Sequence, residues 1–167
     1  MQMRDSLTRA WSVLLVGVIL VIVVFGLIQL SIFPVPWTHD QAQVTVSDDD
    51  ETKLVAGVEV ADTWAERHTG LSEHDSLDPE TGMLFVHGSE DERTYVMRDM
   101  DFDIDIIFVG ADREITTIHH ARAPEPGEDG EDLRYTGEAK WVLEVPAGTV
   151  NDTDIEVGDR VEIENLE

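Results

Sequence analysis

Asp101-Phe102-Asp103-Ile104-Asp105-Ile106-Ile107-Phe108-Val109 is the stretch on which the fold turns. Its first half alternates, with Phe102, Ile104 and Ile106 on one face and Asp101, Asp103 and Asp105 on the other, which is the period of a strand. Its second half, from Ile106 to Val109, is apolar throughout. A short continuous apolar run of that kind suits a strand covered on both faces. Gly110-Ala111-Asp112 supplies a turn, and residues 114–119 are expected to return as a hairpin partner.

Outward from this hairpin, short extended runs recur at residues 42–46, 53–60, 82–87, 94–98, 140–145 and 160–163. Residues 62–69 read as a helix. Thr63 and Glu66 fit a capping box, in which each side chain satisfies an orphan backbone N–H, and Gly70 suits the position just past the helix end. Residues 123–132, rich in Pro, Gly and acid, are expected to form a mobile loop. Many short strands with one brief helix indicate a mainly β (α+β) domain. The expected architecture is a small antiparallel β-barrel or sandwich.

A different kind of segment precedes this domain. Residues 12–33 are almost wholly apolar, interrupted only by Ser12, Gln29 and Ser31 near the ends. As a helix these 22 residues would be about 33 Å long, enough to cross a bilayer core of roughly 30 Å. The competing reading is a cleaved signal peptide. Its apolar run would be shorter, and small residues would stand where Phe33, Pro34 and Trp37 are found. Trp11 and Trp37 flank the span as interface anchors. Arg4 and Arg9 precede it, and no base follows until Lys53, so the positive-inside bias puts the N-terminus in the cytoplasm. The expected organisation is a cytoplasmic tail (1–11), a transmembrane helix (12–33), a juxtamembrane linker with a first short strand (34–52) and an extracellular β-rich domain (53–167).

Charge narrows the partners. Residues 1–38 hold two of the 11 basic and one of the 36 acidic side chains, which leaves the following 129 residues with 9 and 35, a net of −26. Such a surface repels nucleic acid and anionic lipid. The acids are spread through nearly every loop, and lysine is confined to Lys53 and Lys140. That dispersion suits a protein working in concentrated salt, as in a halophilic archaeon, because a Debye length of about 3 Å at 1 M salt removes most of the self-repulsion. The chain has no cysteine, so a thiol nucleophile, a redox pair and a thiolate metal site are all excluded.

Six short motifs follow one another in the domain: Arg67-x-x-Gly70-Leu71, Gly82-Met83-Leu84-Phe85, Tyr95-x-Met97, Asp105-Ile106-Ile107-Phe108-Val109, Leu143-Glu144-x-Pro146-Ala147-Gly148 and Gly158-Asp159-x-Val161. In this order and with these gaps the chain resembles the family known as domain of unknown function 192, over about residues 53–164. It departs from the family pattern at Val96, at Arg98-Asp99-Met100 and at Asp103. The resemblance implies a mainly β domain, often exported or membrane-attached, and no reaction.

Candidate chemistry is sparse. Asp101-x-Asp103-x-Asp105 with Asp112 imitates an EF-hand loop, but the glycine needed at its sixth place is Ile106. His119 and His120 are adjacent, so in a strand they point to opposite faces. No standard zinc spacing and no Gly-x-Ser-x-Gly is present. Glu144, in Trp141-Val142-Leu143-Glu144-Val145, shares a face with Val142 and is the acid most expected to point inward. Asp105, enclosed by Ile104 and Ile106, is second, and Arg67 is the natural cation to pair with either. The reading of these charges as a buried ion pair leads to the expectation that Glu144→Gln weakens folding. Met97, from the Tyr95-x-Met97 step, joins them as a candidate binding residue. Asn151-Asp152-Thr153 is a glycosylation sequon at Asn151. No catalytic residue, metal or cofactor is assigned. Two functions are weighed: a membrane-tethered module binding an unknown ligand or protein partner at the cell surface, and a carboxylate-dependent hydrolase acting on cell-envelope material.

Overall fold

The computed structural model describes residues 40–48 and 51–166. The expected transmembrane helix over residues 12–33 and the tail before it lie outside the described residues. Among the described residues no helix is long and apolar enough to cross a membrane.

Seven strands make up the domain: β1 (Gln41–Asp48), β2 (Glu51–Ala61), β3 (Thr81–Val96), β4 (Ile104–Val109), β5 (Ile115–Ala121), β6 (Arg134–Pro146) and β7 (Arg160–Glu164). Two short helices, α1 (Trp64–Thr69) and α2 (Thr149–Asp152), and a 3-10 turn at Gly130–Asp132 complete it. The strands form one sheet in the order β5-β4-β6-β3-β2-β1-β7. The expectation of an antiparallel barrel or sandwich is corrected in two respects. First, the sheet is mixed, because β2 and β3 run parallel, with Val58 opposite Gly82 and Val60 opposite Leu84. A parallel pair needs a long crossover, and residues 62–80, which carry α1, supply it. Second, no ladder closes the sheet. Its edges meet at one end only, through the Glu114–Arg160 bridge and Val161 N–H donating to the Arg113 carbonyl.

The continuous apolar half of the deciding stretch is strand, as its pattern requires, whereas residues 101–103 of the alternating half, expected to be strand from Phe102, precede β4. Every residue of β4 is buried. One face joins Ile107 and Val109 to Val44, Val46, Val58, Leu84, Leu143, Val145 and Val161 in the larger apolar cluster. The other joins Ile104, Ile106 and Phe108 to Met83, Phe85, Met97, Met100, Val142 and Leu71 in a second cluster. The sheet is therefore covered on both sides around β4 and β6.

Local chemistry sets the connections. The capping box forms as read: the Glu66 N–H donates to Thr63 Oγ1 at 3.2 Å, and the Thr63 N–H donates to Glu66 Oε2 at 2.9 Å. The two runs expected at residues 82–87 and 94–98 are one strand, β3, broken by an irregularity between Val86 and Asp91 where it pairs with β6. The acidic loop expected to be mobile is pinned: Arg122 makes two bonds to the Glu128 carboxylate at 2.7 and 2.8 Å, and Glu128 accepts the Glu125 N–H. The Gly158-Asp159 motif also has a structural role. Buried Asp159 takes the Lys53 ammonium through both oxygens, at 3.0 and 2.9 Å, and accepts the Glu156 N–H. This ties β2 to the turn before β7.

Candidate functional site

Strand parity separates the two acids singled out by sequence. In the β4–β6 ladder Ile106 stands opposite Glu144 and Asp105 opposite Val145. Glu144 therefore faces the second cluster and Asp105 the first, on opposite sides of the sheet. They cannot share a site.

Asp105 is 1% exposed and has fixed partners. Its Oδ2 accepts the Val150 N–H at 2.9 Å, and its Oδ1 lies 2.7 Å from His120 Nδ1. The first of these satisfies an orphan N–H at the start of α2, where no side chain of the helix's own cap does so. Asp105 is thus a tertiary cap. Asp105→Ala leaves that buried N–H unpaired and is expected to cost roughly 2–3 kcal/mol. Guanidinium unfolding checks it: the midpoint should fall with an unchanged slope, and an unmoved midpoint would exclude the capping role.

Glu144 has a different environment. It sits on β6 between Met83 of β3 and Ile106 of β4, both almost fully buried. It forms no hydrogen bond or ion pair with any described residue, and burial alone pushes its carboxyl up to about 8. It lines a cavity of about 280 Å³ whose walls come from α1 and the three residues after it, from β3, from the turn that follows β3 and from Ile104 at the start of β4. Arg67, His68, His87, Arg93, Tyr95 and Arg98 supply the remaining ionisable side chains of that lining.

Each arginine is held by backbone. Arg67, in the second half of α1, donates from Nη1 to the Val86 carbonyl at 2.9 Å, where the β3–β6 ladder breaks, and also to the Asp62 carbonyl. Arg93 donates from Nη2 to the Ser89 carbonyl at 2.8 Å, bracing the same irregularity. Arg98 binds the Glu131 carboxylate at 3.2 Å and the His68 carbonyl. The ion pair expected between Arg67 and Asp105 or Glu144 is not formed; among the described residues neither Arg67 nor Arg93 has a carboxylate partner within ion-pair distance. The charges are nonetheless felt in the cavity. His87, 3.0 Å from the Tyr95 hydroxyl, is lowered to about 4 by burial and then by the Arg93 and Arg67 charges. The Tyr95 hydroxyl is raised, by burial first and then by Glu144.

Gly70 shapes the α1 side of the cavity. Its φ of 52° and ψ of −135° belong to glycine alone, and a Cβ there would meet the Phe85 ring at 3.4 Å. Met97 is fully buried in the second cluster and does not line the cavity; its N–H donates to the Gly130 carbonyl at 3.0 Å. Asn151 is exposed on α2. Sequence reasoning missed Arg93, Arg98, His87 and Tyr95 as site residues.

The sequence profile of DUF192, described as "Uncharacterized ACR, COG1430", matches residues 44–163, the whole sheet apart from the first three residues of β1 and the last of β7. The chain belongs to the DUF192 family. Two solved structures share the DUF192 fold seen here. One is a protein of unknown function from Novosphingobium aromaticivorans DSM 12444, with 34% identity over 76% of this chain and 89% of that one, at a TM-score of 0.65. The other is a protein from Sinorhizobium meliloti 1021 described as a candidate transcription regulator, with 26% identity over 78% of this chain and 98% of that one, at a TM-score of 0.68. No protein of curated function matches this DUF192 chain.

Proposed function

We propose that this DUF192 domain is a ligand-binding module, held at the outer face of a cell membrane by residues 12–33, and that the Glu144 cavity is where the ligand sits. One observation carries the reading. In a chain with 36 acids and 11 bases, three arginines line one cavity, and two of them lack a carboxylate partner among the described residues. A fold with acids in such excess would ordinarily neutralise these charges internally, so their availability points to a ligand. The membrane tether rests on the length and flanking charge of the apolar segment, and the dispersed acidity favours a salt-rich exterior.

Hydrolysis by a carboxylate pair is less well supported. Such chemistry needs two acids at a set separation, and Glu144 is the one acid in the lining. Direct binding of nucleic acid by this chain meets the repulsion of a net charge of −25.

Filling the cavity tests the reading. A small-molecule screen on the full-length chain in detergent should yield compounds that raise the melting temperature. His87→Trp, which puts a larger ring at a half-buried lining side chain beside Tyr95, should abolish that rise while the unliganded protein still unfolds in one cooperative transition. Ligands that stabilise both forms equally would remove the cavity from consideration. Protease added to intact cells should digest the domain and spare residues 1–33; a resistant domain would refute the outward topology.

A further inference from the structure

We propose that the ligand of this cavity is a small organic oxyanion, a carboxylate or phosphate held by Arg67 and Arg93 with an acceptor atom against Glu144. The proposal rests on the cavity being a ligand site and adds the chemical class. A guanidinium has five N–H donors in a planar fork that matches carboxylate and phosphate oxygens. Arg67 spends Nη1 on the Val86 and Asp62 carbonyls. Arg93 spends Nη2 on Ser89 and Nε on Ala139. Both side chains are thereby fixed in place by backbone oxygens, which orient the fork without neutralising its charge. The remaining donors are free to meet an incoming anion.

The other ionisable groups favour the same sign. From α1 come Arg67 and His68; from β3, His87, Arg93 and Tyr95; from the turn after β3, Arg98; from β6, Glu144. His87 is neutral at physiological pH, since burial and the two arginines lower it to about 4. Glu144 is the one group in the lining that could oppose an anion, and burial pushes it up to about 8, so it is largely protonated at pH 7 and carries an unspent O–H donor for a ligand. The cavity therefore presents two or three cations and a neutral donor within a strongly acidic molecule. A volume of about 280 Å³ limits the ligand to a small molecule.

Protonation gives the proposal its signature. As pH rises through about 8, Glu144 loses its proton, the donor disappears and a negative charge faces the anion. Affinity should fall over that range. The test is titration of the full-length chain in detergent, at fixed KCl, with succinate, inorganic phosphate and uncharged N-acetylglucosamine as probes. Chemical shifts of the cavity residues report where each binds. Binding of succinate or phosphate, weakened on the order of tenfold by Arg93→Gln, supports the proposal; the tighter of the two shows whether the fork reads a planar or a tetrahedral anion. Glu144→Gln should bind with an affinity that does not decline between pH 7 and pH 9. N-acetylglucosamine binding as tightly as the anions, indifferent to Arg93→Gln, would overturn the oxyanion class and leave the cavity as a ligand site. Failure of all three probes to shift any cavity residue would overturn both.

Discussion

Glu144→Gln is expected to unfold at a higher temperature than the native protein at pH 9 and at nearly the same temperature at pH 5. The reason is proton linkage. Glu144 is 5% exposed, has no ionic or hydrogen-bonded partner among the described residues, and has its carboxyl raised by burial from an ordinary value of 4.5 to about 8. Between those two values the folded state holds a proton that the unfolded state has released, so stability falls as pH rises. Below about 4.5 both states are protonated and nothing is lost; above about 8 both are ionised and the full cost is present. At 1.36 kcal/mol per unit, that cost is on the order of 5 kcal/mol at pH 9. Glutamine keeps the shape and the polar end of the side chain and never ionises, so the variant should lack this part of the pH dependence. The measurement is thermal unfolding of both proteins from pH 4.5 to pH 9.

The sequence reading expected the opposite, a weakened fold, because it paired Glu144 with Arg67. The two predictions differ in sign at high pH, which makes the experiment decisive. If Glu144→Gln melted lower than the native protein at pH 9, an ionised Glu144 would have to be stabilised by a cation after all. The donor role proposed for it toward a ligand would then fail as well.

The inward orientation of Glu144 was legible because parity within a strand is a local property: Val142 and Glu144 must share a face wherever β6 goes. The burial of β4 was legible for the same reason, from its uninterrupted apolar run. Partners were not. Whether Arg67 reaches Glu144 or the Val86 carbonyl depends on the break in the β3–β6 ladder between Val86 and Asp91. No period in the sequence announces that break, since residues 88–93 stand as a polar gap between two extended runs. The same break hid Arg93 and His87, which it delivers to the cavity. A census of bases held the one usable hint, because Arg67, Arg93 and Arg98 fall within 32 residues of a chain poor in basic groups. The parallel β2–β3 pair was invisible too. Short strands separated by turn residues favour an antiparallel reading, and only the length of the crossover through α1 argues otherwise. The four-residue α2 is too brief to show a helical period, and its start is satisfied from a distant strand by Asp105.

Gly82→Ala is expected to be a strongly damaging single-methyl change, and one that the site can report. Gly82 lies near the start of β3, opposite Val58 of the parallel strand β2. A Cβ on Gly82 would fall 2.2 Å from the Glu144 carbonyl oxygen and 3.2 Å from a Val145 methyl. The first contact is with backbone, so no side-chain rotation relieves it. Either β3 or β6 must move, and overpacking of this kind costs about 3 kcal/mol or more. Gly57→Ala is the control. It lies on β2, it is exposed, and a Cβ there meets nothing within 4 Å. Replacing it should be neutral or stabilise by up to about 1 kcal/mol, through the unfolded chain. Guanidinium unfolding of the pair separates the two effects, and a Gly82→Ala protein within about 1 kcal/mol of the native one would show that the strands can part at that point. Because the carbonyl that blocks Gly82 belongs to Glu144 itself, the strain cannot stay at the sheet's centre. Displacing β6 moves the cavity floor relative to Arg67 and Arg93, which are anchored to β3 and to its break. Any Gly82→Ala protein that remains folded should therefore bind anions more weakly, although residue 82 does not line the cavity.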